Sequence, residues 1–210
     1  MKVLVLSPHT DDAELGCGAT IAKHILAGDE VKWVTFSNCA KSLPEDMRSP
    51  NRLGMEQERA LEKIGVSDWI ILGYEVRTFE ENINSIRDVI YKLIRKCFKP
   101  DIVYTPWRGS LHQDHYTISL CTEQVTRHNT ITVLGYYVSD DGIGFAPRYF
   151  EPLDEIHVLK KIDALMCYET QGLLRKWWRE DIFHATVLYW APVTAHDYTE
   201  AFEVIKTTGK

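Results

Sequence analysis

The chain has 210 residues, of which 45% are hydrophobic and 26% are charged, a composition typical of a globular protein with a sizeable core. Its formal net charge of -6 and lack of a basic run argue against a nucleic-acid partner, because phosphate binding needs a basic face. Five scattered cysteines without a C-x-x-C pair indicate reduced thiols. With no signal-peptide pattern and no run of about 20 apolar residues, the sequence predicts no membrane span and a cytoplasmic location.

Short apolar runs alternate with stretches of helical periodicity along the first two thirds of the chain. In chain order they predict a strand at 3–6, a helix at 14–27, a strand at 31–36, a helix at 55–64, a strand at 69–72, a helix at 83–98, a strand at 102–105, a helix at 114–127 and a strand at 130–138. Gly28 and Gly65 are predicted stops for the first two helices. Alternation of this length predicts an α/β fold in which helices cover both faces of a parallel sheet.

The pattern becomes less regular after about residue 140. A helix is expected at 155–166 and another at 173–180, and residues 198–205 fit either a strand or a helix. Since no internal repeat and no linker interrupts the chain, we expect residues 1–210 to form a single domain.

Two polar motifs follow predicted strands. The segment PHTDD (residues 8–12) comes after the first strand, and HQDH (residues 112–115) comes after the fourth. In open parallel sheets, ligands bind beyond the carboxyl ends of the strands. Both motifs are therefore predicted at the ligand-binding edge of the sheet.

Each motif has alternative interpretations. A dinucleotide-binding loop is disfavoured, because Gly16 and Gly18 lie too far past the strand and two carboxylates in the turn would repel phosphate. A purely structural role is also open, since Asp11 and Asp114 could each cap the helix that follows. Metal binding explains the two motifs together: two histidines and one carboxylate are typical ligands of catalytic zinc, and they also suit Fe(II) or Mn(II).

The same residues resemble a known family. Residues 7–18 are similar to the P-H-P-D-D motif of the PIG-L/LmbE-like N-deacetylases, and residues 112–115 resemble the H-x-D-H motif of that family. Weaker similarity lies at residues 56–65, 99–106, 168–171 and 198–205. The resemblance implies a Rossmann-like three-layer α/β fold with a mostly parallel sheet flanked by helices. It also implies hydrolysis of the N-acetyl group of an N-acetylglucosamine-like amino sugar or its conjugate by one divalent metal, zinc or alternatively Fe(II).

The resemblance and the chemistry of the side chains together assign roles within the two motifs. Binding of the metal is assigned to three residues, His9, Asp12 and His115. Asp11 is expected to act as general base on the attacking water. His112 is expected to stabilise the oxyanion or protonate the leaving amine, and Asp114 to orient His112 by a hydrogen bond.

The sequence departs from the family pattern at three positions. Thr10 replaces a proline, and Ala13 stands where glutamate is frequent, although Glu14 follows. Ser110 stands where some relatives carry a tyrosine that assists the oxyanion. A second oxyanion donor is therefore an open question, with Tyr137 as one candidate.

Candidate substrate contacts lie near the motifs. They are Trp107 and Arg108 in the loop of the second motif and Arg48 and Arg52 before the second helix. The structural alternatives are a partly buried loop tryptophan at 107 and exposed salt bridges for Arg48 and Arg52. The pair at 140–141, after the fifth strand, is expected to form a turn that could reach the pocket.

Two other functions stay open alongside deacetylation of a small-molecule amino sugar. One is hydrolysis of another small amide, such as an N-formyl or N-acyl group, at the same metal site. The other is a non-catalytic sugar- or nucleotide-binding module, although such a module has no need of Asp11 beside a ligand carboxylate. A homo-oligomer is also possible.

Overall fold

The computed structural model describes residues 1–49, 51–139 and 141–207. Within these residues a sheet is built from β1 (Lys2–Ser7), β2 (Glu30–Thr35), β3 (Asp68–Ile71), β4 (Ile102–Pro106), β5 (Thr132–Tyr136), β6 (Tyr149–Leu153) and β7 (Tyr198–Lys206). The strands are hydrogen-bonded in the order β3-β2-β1-β4-β5-β7-β6. All pairs among β1 to β5 are parallel, whereas β7 runs antiparallel to both β5 and β6. The predicted α/β fold with a mostly parallel sheet is confirmed.

Helices connect the strands and cover the sheet. They are α1 (Asp12–Leu26), α2 (Arg52–Ile64), α3 (Ile83–Lys92), α4 (Gln113–Thr126), α5 (Glu155–Leu165), α6 (Glu169–Leu174), α7 (Glu180–Tyr189) and α8 (Ala191–Thr194). Gly65 directly follows α2 and Gly28 lies two residues after the end of α1; both have positive φ, of 100° and 80°, as expected for glycines that stop a helix. In the described part of the chain, no helix is long and apolar enough to cross a membrane.

The side chains of β1 show why the fold has three layers. Successive residues of a strand point to opposite faces. Val3 and Val5 pack in the core cluster that contains residues of α1, α2 and α5, whereas Leu4 and Leu6 pack in the cluster that contains residues of α3 and α4. A continuous apolar run is therefore needed in β1, because both of its faces are buried.

The C-terminal third differs from the sequence prediction. The helix expected at 173–180 is wrong, because the structure breaks it into α6 and α7; between them Trp178 is buried and its Nε1 donates to the Leu165 carbonyl at 3.0 Å. Residues 198–205 belong to a strand, which resolves that ambiguity. Strand β6 was missed: it lies at the end of the sheet order, carries Pro152 and is only partly buried, so it lacks a clear hydrophobic pattern.

The topology places the two motifs side by side. Strands β1 and β4 are neighbours, and the helices that follow them, α1 and α4, pack on opposite faces of the sheet. This is a topological switch point, where a crevice opens at the carboxyl ends of the two strands. Residues 8–12 and 112–115 lie at that crevice.

Candidate active site

His9, Asp12 and His115 converge at the switch point. His9 follows β1, Asp12 is the first residue of α1, and His115 lies in the first turn of α4. Asp12 Oδ2 is 3.0 Å from His9 Nδ1 and 3.1 Å from His115 Nε2, and the two ring nitrogens are 3.3 Å apart. The three side chains are buried, and one donor atom from each forms a compact triangle.

The size of this triangle fits a divalent metal. Zinc bonds of about 2.0–2.1 Å at tetrahedral angles put neighbouring donor atoms about 3.3 Å apart, close to the three separations observed. The electrostatics of the group also favour a bound cation. Burial opposes a charge on the Asp12 carboxylate, yet the nearby histidines His115 and His9 hold the pKa of Asp12 well below its usual range. Although burial alone would lower it, the pKa of His115 is raised to about 10, chiefly by Asp12. The arrangement favours positive charge at the centre of the group.

The carboxylate of Asp114 orients His9 rather than His112. It is fully buried, and its Oδ2 lies 2.9 Å from His9 Nε2. The carboxylate also accepts the backbone N–H groups of Arg77 and Phe79, at 2.7 and 3.3 Å. The expected side-chain bond from Asp114 to His112 is therefore wrong. The side chain is directed across the crevice to His9, in the carboxylate–histidine pairing that fixes a ligand tautomer.

His115, the second histidine of the triangle, also faces a carboxylate. His115 Nδ1 is 3.7 Å from Asp141 Oδ2, an ion-pair distance. Asp141 in turn accepts the Ser110 hydroxyl and the Leu111 backbone N–H, the latter at 3.0 Å. Asp141, in the segment after β5, thus contacts His115 from outside the cavity lining, whereas Asp140 lies outside the described residues.

Asp11 presents a carboxylate that is not used as a helix cap. It is the N-cap residue of α1 but makes no side-chain cap hydrogen bond, so the capping alternative is wrong for this residue. The alternative is also wrong for Asp114, since the N-cap of α4 is His112. Burial and the adjacent Asp12 carboxylate hold the pKa of Asp11 well above its usual range. A buried carboxylate of raised pKa that lines a cavity is suited to accept a proton.

His112 is held as a neutral donor toward the cavity. Its Nδ1 accepts the backbone N–H of Asp114 at 3.2 Å, and its ring stacks on His115 with centroids 4.7 Å apart. Burial and the charges of His9 and His115 lower its pKa to about 4. In a neutral imidazole whose Nδ1 accepts, the proton is on Nε2, so His112 retains one N–H to donate.

A cavity of about 250 Å³ opens over this group. It is lined by residues of both motifs and of three loops: His9, Thr10, Asp11, Asp12, Leu15, Cys39, Ser42, Leu53, Val76, Arg77, His112, His115, Gln171 and Arg175. A larger cleft of about 680 Å³ lies at the opposite edge of the sheet, but the His-Asp-His group is not among its lining residues. The chemistry therefore assigns the site to the smaller cavity.

The four candidate substrate contacts each have a local partner. Arg48 donates to the Leu43 carbonyl at 2.8 Å, and Arg52 lies 3.8 Å from the Glu56 carboxylate. Trp107 is buried with its Nε1 bonded to the Asp141 carbonyl, and Arg108 pairs with Glu123 at 2.9 Å. In the part of the chain that the structure describes, none of the four is among the residues that line the cavity.

Three polar side chains that the sequence did not predict line the cavity. Arg77 enters from the loop before α3, whereas Gln171 and Arg175 enter from α6 and its C-cap. Arg175 packs over the Trp177 ring, 5.4 Å from its centroid. The family-like segment at 168–171 was a signal for Gln171, but the irregular loop around Arg77 carried none. Tyr137 packs against Phe145 with centroids 4.5 Å apart and is not among the lining residues.

Taken together, the fold and the site define an α/β protein with a candidate divalent-metal centre at the switch point of a mostly parallel sheet. The family model described as "GlcNAc-PI de-N-acetylase" (PIG-L) matches residues 4–126, more than half of the chain. The chain belongs to this family of deacetylases, which are hydrolases, and the resemblance seen in the two motifs is confirmed.

Individual relatives agree with this assignment. The chain is 26% identical to the uncharacterized deacetylase YaiS of Escherichia coli (strain K12) over 169 residues, covering 78% of this chain and 88% of the relative. It is 26% identical to the diacetylchitobiose deacetylase of Thermococcus kodakarensis, covering 97% of this chain and 83% of the relative. The crystal structure of the zinc-inhibited form of teicoplanin deacetylase Orf2 superposes with a TM-score of 0.76 at 17% identity, covering 96% of this chain and 97% of that one, which shows the same fold.

Proposed function

We propose that this chain hydrolyses the N-acetyl group of an N-acetylglucosamine-like amino sugar or its conjugate, giving acetate and a free amine. One divalent metal, zinc or Fe(II), would be held by His9, Asp12 and His115. The observation that carries the proposal is the buried triangle of donor atoms, 3.0–3.3 Å on each side, with Asp11 beside it in the same cavity. The diacetylchitobiose deacetylase relative supports the substrate class.

The chain supplies the proton acceptor. A divalent metal bound in such a site acidifies water and polarises the amide carbonyl. Asp11 is not one of the three grouped donors and makes no side-chain cap hydrogen bond to α1, and it lines the same cavity, so its carboxylate is placed to take the proton of the attacking water. In this proposal the two adjacent carboxylates have different roles: Asp12 binds the metal and Asp11 accepts the proton.

The chain also supplies donors for the oxyanion and the leaving group. His112 retains its Nε2 proton because Nδ1 accepts from the backbone, and it can hydrogen-bond the oxygen that gains charge when the carbonyl is attacked. Asp114 keeps His9 in the orientation that presents Nδ1 to the centre of the group. Arg77, Gln171 and Arg175 line the cavity and are proposed to contact the sugar or its attached group.

We also propose a single domain and a cytoplasmic location for this chain. Residues 1–210 are proposed to act as one deacetylase domain, because one sheet runs from β1 near the N-terminus to β7 near the C-terminus. A cytoplasmic location is supported by the five cysteines, all free thiols. Hydrolysis of another small amide at the same metal site is the second candidate, since the donor group does not itself select an acetyl group.

Metal-dependent acetate release tests the proposal. The protein is stripped with a chelator, reloaded with Zn(II) or, without oxygen, with Fe(II), and incubated with N-acetylglucosamine, diacetylchitobiose and nucleotide-linked N-acetylglucosamine. Both metals are needed, because one related deacetylase is described in a zinc-inhibited form. We expect equal amounts of acetate and free amine that disappear with chelator. Binding of these sugars with no acetate release in any metal-loaded form would favour the non-catalytic module.

A further inference from the structure

We infer that Glu56 and Thr170 are positioning residues that hold α6, and with it Gln171 and Arg175, against the cavity. The inference rests on the proposed function, in which Gln171 and Arg175 contact the sugar or its attached group. Neither Glu56 nor Thr170 is among the residues that line the cavity. Their effect on the reaction would therefore pass through the position of α6.

Helix α6 has little apolar packing of its own. It is six residues long, and isolated helices of this length are not stable in water. Both of its leucines are exposed, Leu173 by 74% and Leu174 by 44%. The buried residues of the helix are polar instead, Thr170 and Gln171. Polar contacts to the rest of the domain are therefore what keeps α6 in place.

Glu56 of α2 makes such a contact with the first turn of α6. Its carboxylate accepts the backbone N–H of Thr170 at 3.1 Å through Oε1 and the Thr170 hydroxyl at 2.5 Å through Oε2. Both residues are buried. The first N–H groups of a helix have no partner within it, and hydrogen bonds to a charged acceptor are the strong ones. One carboxylate thus joins two groups of Thr170 to α2.

Neighbouring contacts support this link from both sides. Arg52 Nε lies 3.8 Å from Glu56 Oε1, one turn earlier in α2, and offsets the buried charge. Tyr168, the N-cap of α6, donates its hydroxyl to Glu14 Oε1 at 2.6 Å, which joins the residue before the helix to α1. The chain therefore enters α6 from a fixed position, and Glu56 fixes the turn that follows.

The link determines where the two lining residues lie. Gln171 directly follows Thr170, and Arg175, the C-cap, donates its backbone N–H to the Gln171 carbonyl at 2.8 Å. Residues four apart lie on the same side of a helix, so fixing the first turn directs both side chains to the cavity that they line. The three donors of the triangle follow β1 or lie in α1 and α4, not in α2 or α6. Loss of the link should therefore weaken substrate binding and leave the metal in place.

Thr170→Val tests the inference, because it removes the hydroxyl but keeps the shape of the side chain. It should raise KM for the N-acetylated amino sugar about 5- to 30-fold, with kcat and bound metal within a factor of two of wild type. Hydrogen exchange in residues 169–175, measured by mass spectrometry on the metal-loaded protein, should become about 3- to 10-fold faster. Thr170→Ser keeps the hydroxyl and should match wild type in both measurements.

Thr126→Val is the matched control. Thr126 is also buried, and its hydroxyl donates to the Thr122 carbonyl at 2.8 Å at the end of α4, outside the cavity lining. This variant should match wild type in KM and in exchange at residues 169–175.

Glu56→Gln covers the case in which Thr170→Val does not fold. It keeps the side-chain size, removes the charge of the acceptor, and should shift KM and exchange in the same direction. If the link acts through the lining residues, adding Thr170→Val to a variant that combines Gln171→Ala and Arg175→Ala should raise KM no more than about twofold further.

Unchanged KM, unchanged exchange in residues 169–175, loss of bound metal, or a full additional rise of KM in the combined variant would each overturn the inference. A wild type that releases no acetate would overturn the proposed function instead. The exchange measurement would then still decide whether Glu56 and Thr170 hold α6.

Discussion

Replacing Asp11 by asparagine removes the proposed base with little other change. Asparagine has nearly the same shape and tolerates the left-handed backbone at φ 90° about as well as aspartate. No side-chain cap is lost, since the Asp11 carboxylate makes none. Removing one of two adjacent buried charges also relieves their repulsion, which is a cause of the raised pKa of Asp11. We therefore expect unfolding free energy and metal content equal to or slightly above those of wild type.

The expected loss of activity follows from the role of the group. Proton transfer by a positioned base contributes about 10²–10⁴-fold to a rate, which corresponds to about 3–5 kcal/mol of transition-state stabilisation. An amide cannot accept the proton of water at neutral pH. The loss should fall on kcat, because the other lining residues that would contact the substrate are unchanged.

The assay is acetate release by metal-loaded Asp11→Asn at saturating substrate, with bound metal measured on the same sample. Asp68→Asn is a suitable control. Asp68 lies in β3, an edge strand of the sheet that is far from both motifs in sequence, and it forms an exposed ion pair with Lys32 at 2.7 Å. Asp11→Asn with full metal and a kcat within threefold of wild type would refute the assignment of Asp11 as base.

Three further substitutions test the site and its scaffold. Asp114→Asn should weaken metal affinity about 10- to 100-fold in a competition titration, and unchanged affinity would contradict its role in orienting a ligand histidine. Gly16→Ala places a Cβ 2.2 Å from Tyr136 Cδ2 and should lower the free energy of unfolding, measured in urea, by about 1–3 kcal/mol. Replacing a helical glycine by alanine usually stabilises a protein, so an increase in this free energy would show that the contact with Tyr136 relaxes freely. Lys161→Met leaves the buried Glu200 carboxylate without its cation and should lower the free energy of unfolding by about 3–5 kcal/mol. In the control, Lys160→Met, only an exposed contact with the Lys63 carbonyl is lost, and the decrease should be less than about 0.5 kcal/mol. Equal decreases would contradict the buried ion pair.

The first half of the fold could be predicted from sequence because its signals are local. A strand buried on both faces needs a continuous apolar run, and the helices that cover it repeat their apolar residues every three or four positions. Since both motifs directly follow strands, the rule for parallel sheets placed them at one edge without any knowledge of tertiary contacts. The rule predicts that the two motifs meet, and in the structure His9, Asp12 and His115, the three residues assigned to the metal with the help of the family resemblance, do lie together.

The remaining features depend on contacts between distant parts of the chain. The expected hydrogen bond from Asp114 to His112 joins residues that are close in sequence, but the Asp114 carboxylate bonds His9, which is 105 positions away. Arg77 and Arg175 reach the cavity from segments without a recognisable motif. Local patterns do not show which side chains a loop brings to a crevice. For the same reason the hydroxyl of Tyr168 gave no sign that it meets Glu14, 154 positions away.

The C-terminal errors have a different cause. A helix is expected at 173–180, but the structure ends α6 at Leu174 and starts α7 at Glu180, and between them Trp178 packs against Phe183 at a centroid distance of 5.2 Å. Tertiary packing overrides a weak local preference in such short segments.

Stepwise loading of the metal-free protein measures the central claim most directly. Zn(II) or Fe(II) is added in fractions of an equivalent, and bound metal and acetate release from an N-acetylated amino sugar are measured at each step. If His9, Asp12 and His115 form one catalytic centre, activity with at least one of the two metals rises in proportion to bound metal and stops rising at one equivalent per chain. Acetate release that is independent of bound metal, or a fully loaded protein that releases none with either metal, would contradict the account.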